Sequence, residues 1–177
     1  MKFMGTTQIN SNSWESKFQV KKGNIGEAAV RSLLEKRGWV VYDPVTNSPH
    51  GFDFLATKNK ETLMIAEVKS KPKRIKYPDT GFDIRHYKEY KAIAEKYNIR
   101  VFIFFVDEDM GKVYGHYLDV LDSPRVIKHN GKLLTYPIQT CGIIYFPVEK
   151  MITLGELSDI EVKAMKTHST RNPIYYT

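Results

Sequence analysis

The fold of this chain is decided by the stretch Gly-Phe-Asp-Phe-Leu-Ala-Thr (51–57) and, after a polar gap, by Thr-Leu-Met-Ile-Ala-Glu-Val-Lys-Ser (62–70). The apolar runs 52–56 and 63–68 inside them are short, which predicts two strands. The polar residues 58–61 between the runs predict a hairpin turn. We therefore expect the two strands to pair side by side in antiparallel fashion.

Three charged residues mark the ends of these strands. Asp53 opens the first strand, and Glu67 and Lys69 close the second. Side chains alternate between the two faces of a strand, so Glu67 and Lys69 point the same way. In the expected register Thr57 lies opposite Leu63. The same register places Asp53 opposite Glu67, where directly opposed Cβ atoms are about 4.5–5.5 Å apart, but a one-residue slip would turn Asp53 to the other face.

In that register, two carboxylates and an ammonium group share one site. Like charges at such a distance are costly without a cation, and a hard divalent ion such as Mg²⁺ prefers oxygen ligands. A carboxylate-held metal orients water and stabilises a phosphoryl transition state, and Lys69 would add positive charge. The alternative without chemistry is that Glu67 and Lys69 form an exposed pair at a sheet edge, while Asp53 is a turn residue.

Length and composition restrict the class of protein. A chain of 177 residues with 42% hydrophobic and 12% aromatic residues is typical of one globular domain with a real core. No apolar run is long enough for a transmembrane helix, and the first residues lack the apolar core of a signal peptide, so we expect a cytoplasmic location and no membrane partner. The single cysteine, Cys141, excludes an internal disulfide and a cysteine-based zinc site.

The positive charge of the chain indicates a polyanionic partner. The net charge is +7 and the isoelectric point is near 9.3, which favours nucleic acid first and an anionic membrane surface second. The densest basic run follows Lys69 directly. We interpret it as a phosphate-contacting loop at the mouth of the acidic site, with a solvated loop as the alternative; its basic residues are Lys71, Lys73, Arg74 and Lys76.

The chain before the hairpin predicts an arm, a helix and a strand. Residues 1–22 are polar and weakly patterned, which favours an N-terminal arm. The helix is expected to begin at Asn24 as its N-cap, with Glu27 in the capping-box position, and to end at Gly38. Residues 39–42 then predict a strand.

After the hairpin, turn residues at 77–81 precede a second predicted helix, from a cap at Asp83 to Tyr97. Arg85 and Lys88 lie at its N-terminal end, where backbone N–H groups favour anions, so they are candidate phosphate contacts; solvated surface is the alternative. Residues 101–106 are apolar at every position, which predicts a central strand buried on both faces.

The C-terminal part predicts further strands and one helix. The acidic run 107–109 is interpreted as a turn rather than a metal site. Strands are expected at 112–121, 125–128, 133–136 and 143–146, and a last helix at 151–167.

The five histidines are scattered, and no pair has the spacing of metal ligands on one helix. His50 lies three residues before Asp53, so it is a candidate second-shell or substrate contact. A loop histidine without a role is the alternative.

This order of parts resembles the PD-(D/E)xK nuclease superfamily, in particular its Holliday junction resolvase-like, restriction endonuclease-like and phage or mobile-element members. The resemblance covers about residues 23–106. The proline of the motif is absent, and Phe52 stands before the aspartate. The stretches that carry the resemblance are Gly-Asn-Ile-Gly-Glu (23–27), Gly-Phe-Asp (51–53) and Ala-Glu-Val-Lys (66–69).

The resemblance implies an α/β fold: a restriction endonuclease-like core at 23–106, in which a central mixed sheet is flanked by helices, with additional strands and a helix at 107–177. It implies that Asp53, Glu67 and the backbone carbonyl of Val68 are metal ligands. Lys69 would position the attacking water or stabilise charge, and Glu27 would be an auxiliary acid, unless it is only a helix cap.

The expected activity is hydrolysis of phosphodiester bonds in duplex or branched DNA by a Mg²⁺- or Mn²⁺-dependent endonuclease, with junction resolution as one form. The alternatives are a nucleic-acid-binding module without catalysis on the same fold, and a nuclease that acts on RNA or on DNA ends. Many members cut both strands as dimers, but the sequence shows no recognisable dimer element, so a homodimer is left open.

Overall fold

The computed structural model describes residues 17–44, 51–59 and 62–169. His50 therefore lies outside the described residues, as does most of the expected arm. No helix in the described ranges is long and apolar enough to cross a membrane.

The helices are α1 (Phe18–Lys36), α2 (Ile84–Tyr97), α3 (Leu118–Asp122) and α4 (Asp159–Thr167). The strands are β1 (Val40–Tyr42), β2 (Phe54–Lys58), β3 (Thr62–Lys69), β4 (Asp79–Asp83), β5 (Arg100–Asp107), β6 (Lys112–Tyr117), β7 (Arg125–His129), β8 (Lys132–Tyr136), β9 (Ile138–Thr140), β10 (Ile143–Pro147) and β11 (Ile152–Glu156).

The main sheet has six strands in the order β1-β2-β3-β5-β6-β11. β3 and β5 are parallel and joined through α2, whereas the other neighbours are antiparallel. A smaller sheet, β4-β10-β9, and the hairpin β7–β8 complete the strands that the structure describes. The expected α/β class, with a central mixed sheet between helices and with C-terminal additions, is confirmed.

The register of the central hairpin is the predicted one. Thr57 pairs with Leu63, and the ladder continues to Phe54 opposite Ala66. Asp53 therefore comes directly before the last ladder pair, on the side of the sheet where Glu67 lies. A one-residue slip would have separated the two acids.

β5 forms the centre of the molecule and is buried on both faces, as its continuous apolar run predicted. Its side chains at 102, 104 and 106 pack in the layer that contains Val30 and Leu34 of α1 and Met165 of α4. Its side chains at 101, 103 and 105 pack in the layer that contains Tyr90 of α2. Two hydrophobic layers thus fix β3, the neighbour of β5, between α1 and α2.

The first helix begins earlier than predicted, at Phe18, so Asn24 and Glu27 lie inside it. The expected N-cap at Asn24 and the capping role of Glu27 are therefore wrong. A tertiary contact accompanies the additional turn, since Lys22 Nζ lies 2.5 Å from Oε1 of the buried Glu108. Such contacts outweigh the modest penalty of Gly23 in a helix. The predicted end is confirmed, because Gly38 follows the helix with φ +79°.

The predicted turn at 77–81 is also corrected, because β4 begins at Asp79 and pairs with β10. Gly81 is required for a close approach of backbones rather than for a turn. A Cβ at Gly81 would lie 2.1 Å from the carbonyl oxygen of Ile144. This partner is distant in the chain, so the local turn signal of Tyr77–Gly81 concealed the strand.

Two predictions near the C-terminus are wrong in part. The expected strand 112–121 ends at Tyr117 and gives way to α3. The expected helix 151–167 is divided into β11, which pairs with β6, and α4. Ser158 forms a capping box with Glu161 and starts α4 there. The pattern at 151–167 combined an edge strand with a short helix.

Candidate active site

The end of β3 and the middle of α2 build the centre of the site. Glu67 is only 4% exposed and lies on the face of β3 that packs against α2. Its Oε1 accepts a hydrogen bond from Lys69 Nζ at 2.5 Å and one from the Tyr90 hydroxyl at 2.5 Å. Lys69 Nζ also lies 3.0 Å from the Tyr90 oxygen. The exposed-edge alternative for Glu67 and Lys69 is therefore wrong.

Asp53 lies beside this cluster and is held by the backbone. Its Oδ2 accepts a hydrogen bond from the N–H of Val68 at 2.7 Å. Burial raises the pKa of Asp53 to about 7, and the neighbouring charge of Glu67 contributes in the same direction. The carboxyls of Asp53 and Glu67 thus interact, as the register required.

Glu27 reaches the same region from α1. Its charge also raises the pKa of Asp53, so it acts within electrostatic range of that carboxyl. The close approach of α1 depends on Gly26, where a Cβ would lie 2.0 Å from Ser70 Oγ. The glycine before Glu27 therefore allows the helix to pack against the chain directly after Lys69.

Tyr90 is the site residue that sequence reasoning missed. It lies within the helix that was predicted from Asp83 to Tyr97, and it is 4% exposed. Burial, and then the neighbouring Glu67 carboxylate, hold the pKa of its phenol well above the usual range. The Tyr90 hydroxyl therefore stays protonated and donates to Glu67. Nothing in the local pattern distinguishes this tyrosine from an ordinary core residue.

The donor set of the site fits a hard divalent cation. Glu67 Oε2 is buried and has no hydrogen-bond partner among the described residues. Asp53 supplies a second carboxylate beside it. The described ranges contain no group of three or more His, Cys, Asp or Glu side chains that would hold a metal by themselves. A cation here would need backbone carbonyl or water oxygens to complete its shell, which is the usual arrangement for Mg²⁺.

The basic run after Lys69 lies next to this cluster, in the irregular segment between β3 and β4. Lys71 and Lys76 are exposed. The backbone N–H of Lys73 donates to Asp107 Oδ2 at 2.8 Å. Arg74 binds the buried Asp79 through Nε and Nη2 at 2.5 and 2.6 Å. The segment is therefore anchored at 73 and 74 and presents its outer lysines to solvent.

The two basic residues predicted on α2 differ in their surroundings. Arg85 pairs with Asp83, the N-cap of α2, at 2.6 Å. Lys88 is exposed on the following turn. Both lie on the surface, and their contact with phosphate stays a prediction.

No protein-family model matches the chain, and no curated protein matches it. Among solved structures, a Holliday junction resolvase from the archaeal hyperthermophile Archaeoglobus fulgidus is 13% identical, with 78% of this chain and 99% of that chain covered and a TM-score of 0.49. A nuclease from a fusselovirus is 12% identical, with 81% and 87% covered and a TM-score of 0.40. Similarities this low assign neither a family nor an activity.

The clustered acids predict that removing one charge stabilises the metal-free protein. The pKa of Asp53 is about 7 in the folded state against an ordinary 3.8. The folded state therefore binds the Asp53 proton more tightly than the unfolded state does. The stability that this proton contributes is fully present below about pH 4 and is lost as the pH rises through about 7. Asparagine has no charge and keeps an oxygen for the Val68 N–H. We expect Asp53→Asn in EDTA to raise the melting temperature at about pH 8 by about 5 °C.

The check is a series of thermal melts of both proteins in EDTA across this pH range, with no difference expected at the acidic end. Asp119→Asn is the matched control, because that carboxylate lies on the surface beside Arg100 and its pKa is lowered. It should not raise the melting temperature. Equal or lower stability of Asp53→Asn at the alkaline end would contradict the prediction.

Proposed function

We propose that this chain is a divalent-metal-dependent nuclease that hydrolyses phosphodiester bonds in DNA, as an endonuclease. One observation carries the proposal. Glu67 has one oxygen held by Lys69 and Tyr90, while its other oxygen is buried and has no partner among the described residues. A second carboxylate, Asp53, lies beside it, and the basic segment 71–76 follows directly.

In this proposal Asp53, Glu67 and the carbonyl of Val68 hold Mg²⁺ or Mn²⁺. When bound, the ion supplies Lewis-acid stabilisation of the phosphoryl transition state. Lys69 contributes positive charge beside the reacting phosphate and orients the attacking water. Tyr90 fixes the carboxylate of Glu67 and the ammonium group of Lys69, so that neither has to reorganise during the reaction.

Glu27 is proposed as the auxiliary acid. It approaches from α1, on a different element from the two acids of the hairpin. In this role its carboxylate would accept a proton from the attacking water or hold the ion through water. Its electrostatic effect on Asp53 supports this role.

A protein that only binds nucleic acid is the alternative class. The net charge of +7 suits it equally well. Two adjoining carboxylates, however, repel phosphate and are costly to desolvate, so a pure binder gains nothing from them where the backbone approaches. Action on RNA or on DNA ends retains the same site and is distinguished only by substrate.

The test is incubation of the purified protein with labelled linear duplex, single strand, flap and four-way junction DNA, each with Mg²⁺, with Mn²⁺ and with EDTA. We expect cutting with either metal and none in EDTA, and cutting of a closed circular DNA would establish endonuclease action. Tight binding without cutting of any DNA would favour the binding module. If the protein cut RNA and no DNA, the proposed substrate would change from DNA to RNA, while the proposed metal-dependent hydrolysis would stand.

A further inference from the structure

A large open cavity lies directly beyond the proposed catalytic centre. Its volume is about 670 Å³, and it is bounded by the basic segment, the start of α1, β4, β10 and the end of α4. The volume falls in the range of sites for small ligands, about 300–1,000 Å³. Its wall begins at Ser70 and Lys71, the two residues that follow Lys69. The cavity therefore adjoins the end of β3 that carries Lys69.

The charged side chains of the cavity wall are all positive. Four cationic side chains line it, and none of the described residues in the wall is acidic. Lys22 is held by Glu108 behind the wall, and Arg74 is held by Asp79. Lys71 and Lys76 are exposed. The cavity thus favours an anionic ligand, with two exposed lysines at the surface and two anchored cations deeper in the wall.

Flat groups form one side of the cavity. The guanidinium carbon of Arg74 lies 4.2 Å from the ring centre of Tyr77 and 3.8 Å from that of Tyr145. Asp79, which is fully buried, accepts two hydrogen bonds from Arg74 and one from Tyr136. These hydrogen bonds fix the guanidinium group of Arg74, against which the rings of Tyr77 and Tyr145 pack. Aromatic rings and guanidinium planes are the surfaces on which unstacked bases stack.

The wall also contains buried polar atoms without partners. Thr80 Oγ1 and His168 Nδ1 are buried and have no hydrogen-bond partner among the described residues. Thr80 is 0% exposed, so its hydroxyl has no access to bulk water. Buried polar groups without partners are rare because they lose hydration without compensation. With Ser70 Oγ there are three such atoms among the residues that line the cavity. Because they are closed to solvent, they belong to the layer behind the cavity surface, and the contacts to a ligand fall to the exposed rings and lysines of the wall.

We propose that the cavity receives one unstacked nucleotide of the substrate strand. Its base would stack on the ring of Tyr77 or Tyr145, both of which Arg74 holds in the wall, and its phosphate would face Lys71 and Lys76. This inference rests on the proposed function and names the substrate class, namely DNA with an unpaired nucleotide beside the phosphate that is cut. A fully paired duplex keeps its bases stacked and cannot place one in the cavity without the cost of unstacking it.

The test measures binding in EDTA, so that it does not depend on cutting. Fluorescence anisotropy compares a short duplex, the same duplex with one bulged nucleotide, and a single strand. We expect the native protein to bind the bulged duplex at least about tenfold more tightly than the paired duplex, because base stacking contributes that much or more. A free deoxynucleoside monophosphate should compete only weakly, since the nucleotide belongs to a strand.

Matched variants separate the cavity from general surface charge and from folding. Tyr77→Ala should lose most of the preference for the bulged duplex and keep its affinity for the paired one. The control is Tyr97→Ala, since Tyr97 is also exposed and also lies beside a cation, Lys96, but does not line the cavity. Thr80→Val should leave the preference unchanged, because the Thr80 hydroxyl is closed off from the cavity space, and should not lower the melting temperature.

The outcomes distinguish this inference from the function on which it rests. Equal affinity for paired and bulged duplexes, or a full preference in Tyr77→Ala, would overturn the cavity assignment even if Mg²⁺-dependent cutting is found. Competition by the free monophosphate equal to that of the bulged duplex would assign the cavity to a small nucleotide instead. If the bulged duplex is preferred as expected but no DNA is cut with either metal, the cavity assignment would stand and the proposed nuclease activity would be rejected.

Discussion

In the proposed nuclease, we expect Glu67→Gln to lower the rate of DNA cleavage by at least about a thousandfold. Glutamine keeps the size of the side chain and leaves a carbonyl oxygen that can accept from Lys69 and Tyr90. It removes the charge of the buried, unpartnered oxygen that suits a divalent cation. The measurement is the single-turnover cleavage rate with saturating Mg²⁺, on the DNA that the native protein cuts fastest.

Binding of the same DNA in EDTA should be equal to or tighter than that of the native protein. The variant carries one negative charge fewer near the approaching phosphates, and its basic segment is unchanged. Glu149→Gln is the matched control, since Glu149 is an exposed glutamate that pairs with Arg125. It should cut at the native rate. A Glu67→Gln protein that is folded and cuts at more than a tenth of the native rate would remove Glu67 from the mechanism.

Arg74→Met will cause the largest loss of stability among changes in the basic segment. Asp79 is fully buried, and among the described residues its carboxylate would keep only the hydrogen bond from Tyr136. Removing one partner of a buried ion pair leaves an uncompensated charge and costs about 3–5 kcal/mol. In a protein of this size that lowers the melting temperature by about 10 °C. Thermal melts and urea titration measure the loss.

A second substitution and a control variant test whether the unpaired charge of Asp79 causes the loss of stability. Adding Asp79→Asn to Arg74→Met removes the unpaired charge and should recover part of the lost stability. Arg85→Met is the matched control, because Arg85 forms a similar forked pair with Asp83 on the surface. Exposed pairs contribute little, so its melting temperature should not change measurably. Equal losses in Arg74→Met and Arg85→Met would show that the buried pair has no special importance.

Local signals explain what could be predicted for the central hairpin. The two short apolar runs and the polar turn between them predicted the hairpin, and the structure confirmed the expected register, which brings Asp53 to Glu67. β5 was equally clear, because a run that is apolar at every position fits only a strand covered on both faces. The second helix was bounded by its own caps, Asp83 and Asn98, which the structure places at its two ends.

The features that could not be predicted depend on residues far apart in the chain. Lys22 and Glu108, which accompany the early start of α1, are 86 residues apart. β4 was concealed because its partner β10 begins only at Ile143. Tyr90 donates to Glu67 across 23 residues. No periodicity or cap encodes such pairs, since they form only after the layers have packed.

The sequence by itself determined that a hairpin carries Asp53, Glu67 and Lys69, with Glu67 and Lys69 on one face, that a buried strand follows a capped helix, and that positive charge follows Lys69. Periodicity, turns and caps act over a few residues, so the residues themselves specify these features. The structure fixed the register that adds Asp53 to the face of Glu67 and Lys69. Only the tertiary structure decided that Tyr90 completes the acidic cluster and that Arg74 is bound to Asp79 rather than directed at solvent. It also placed the cavity beyond Lys69, because packing of α1, α4 and the smaller sheet around the basic segment creates a space that no single segment contains.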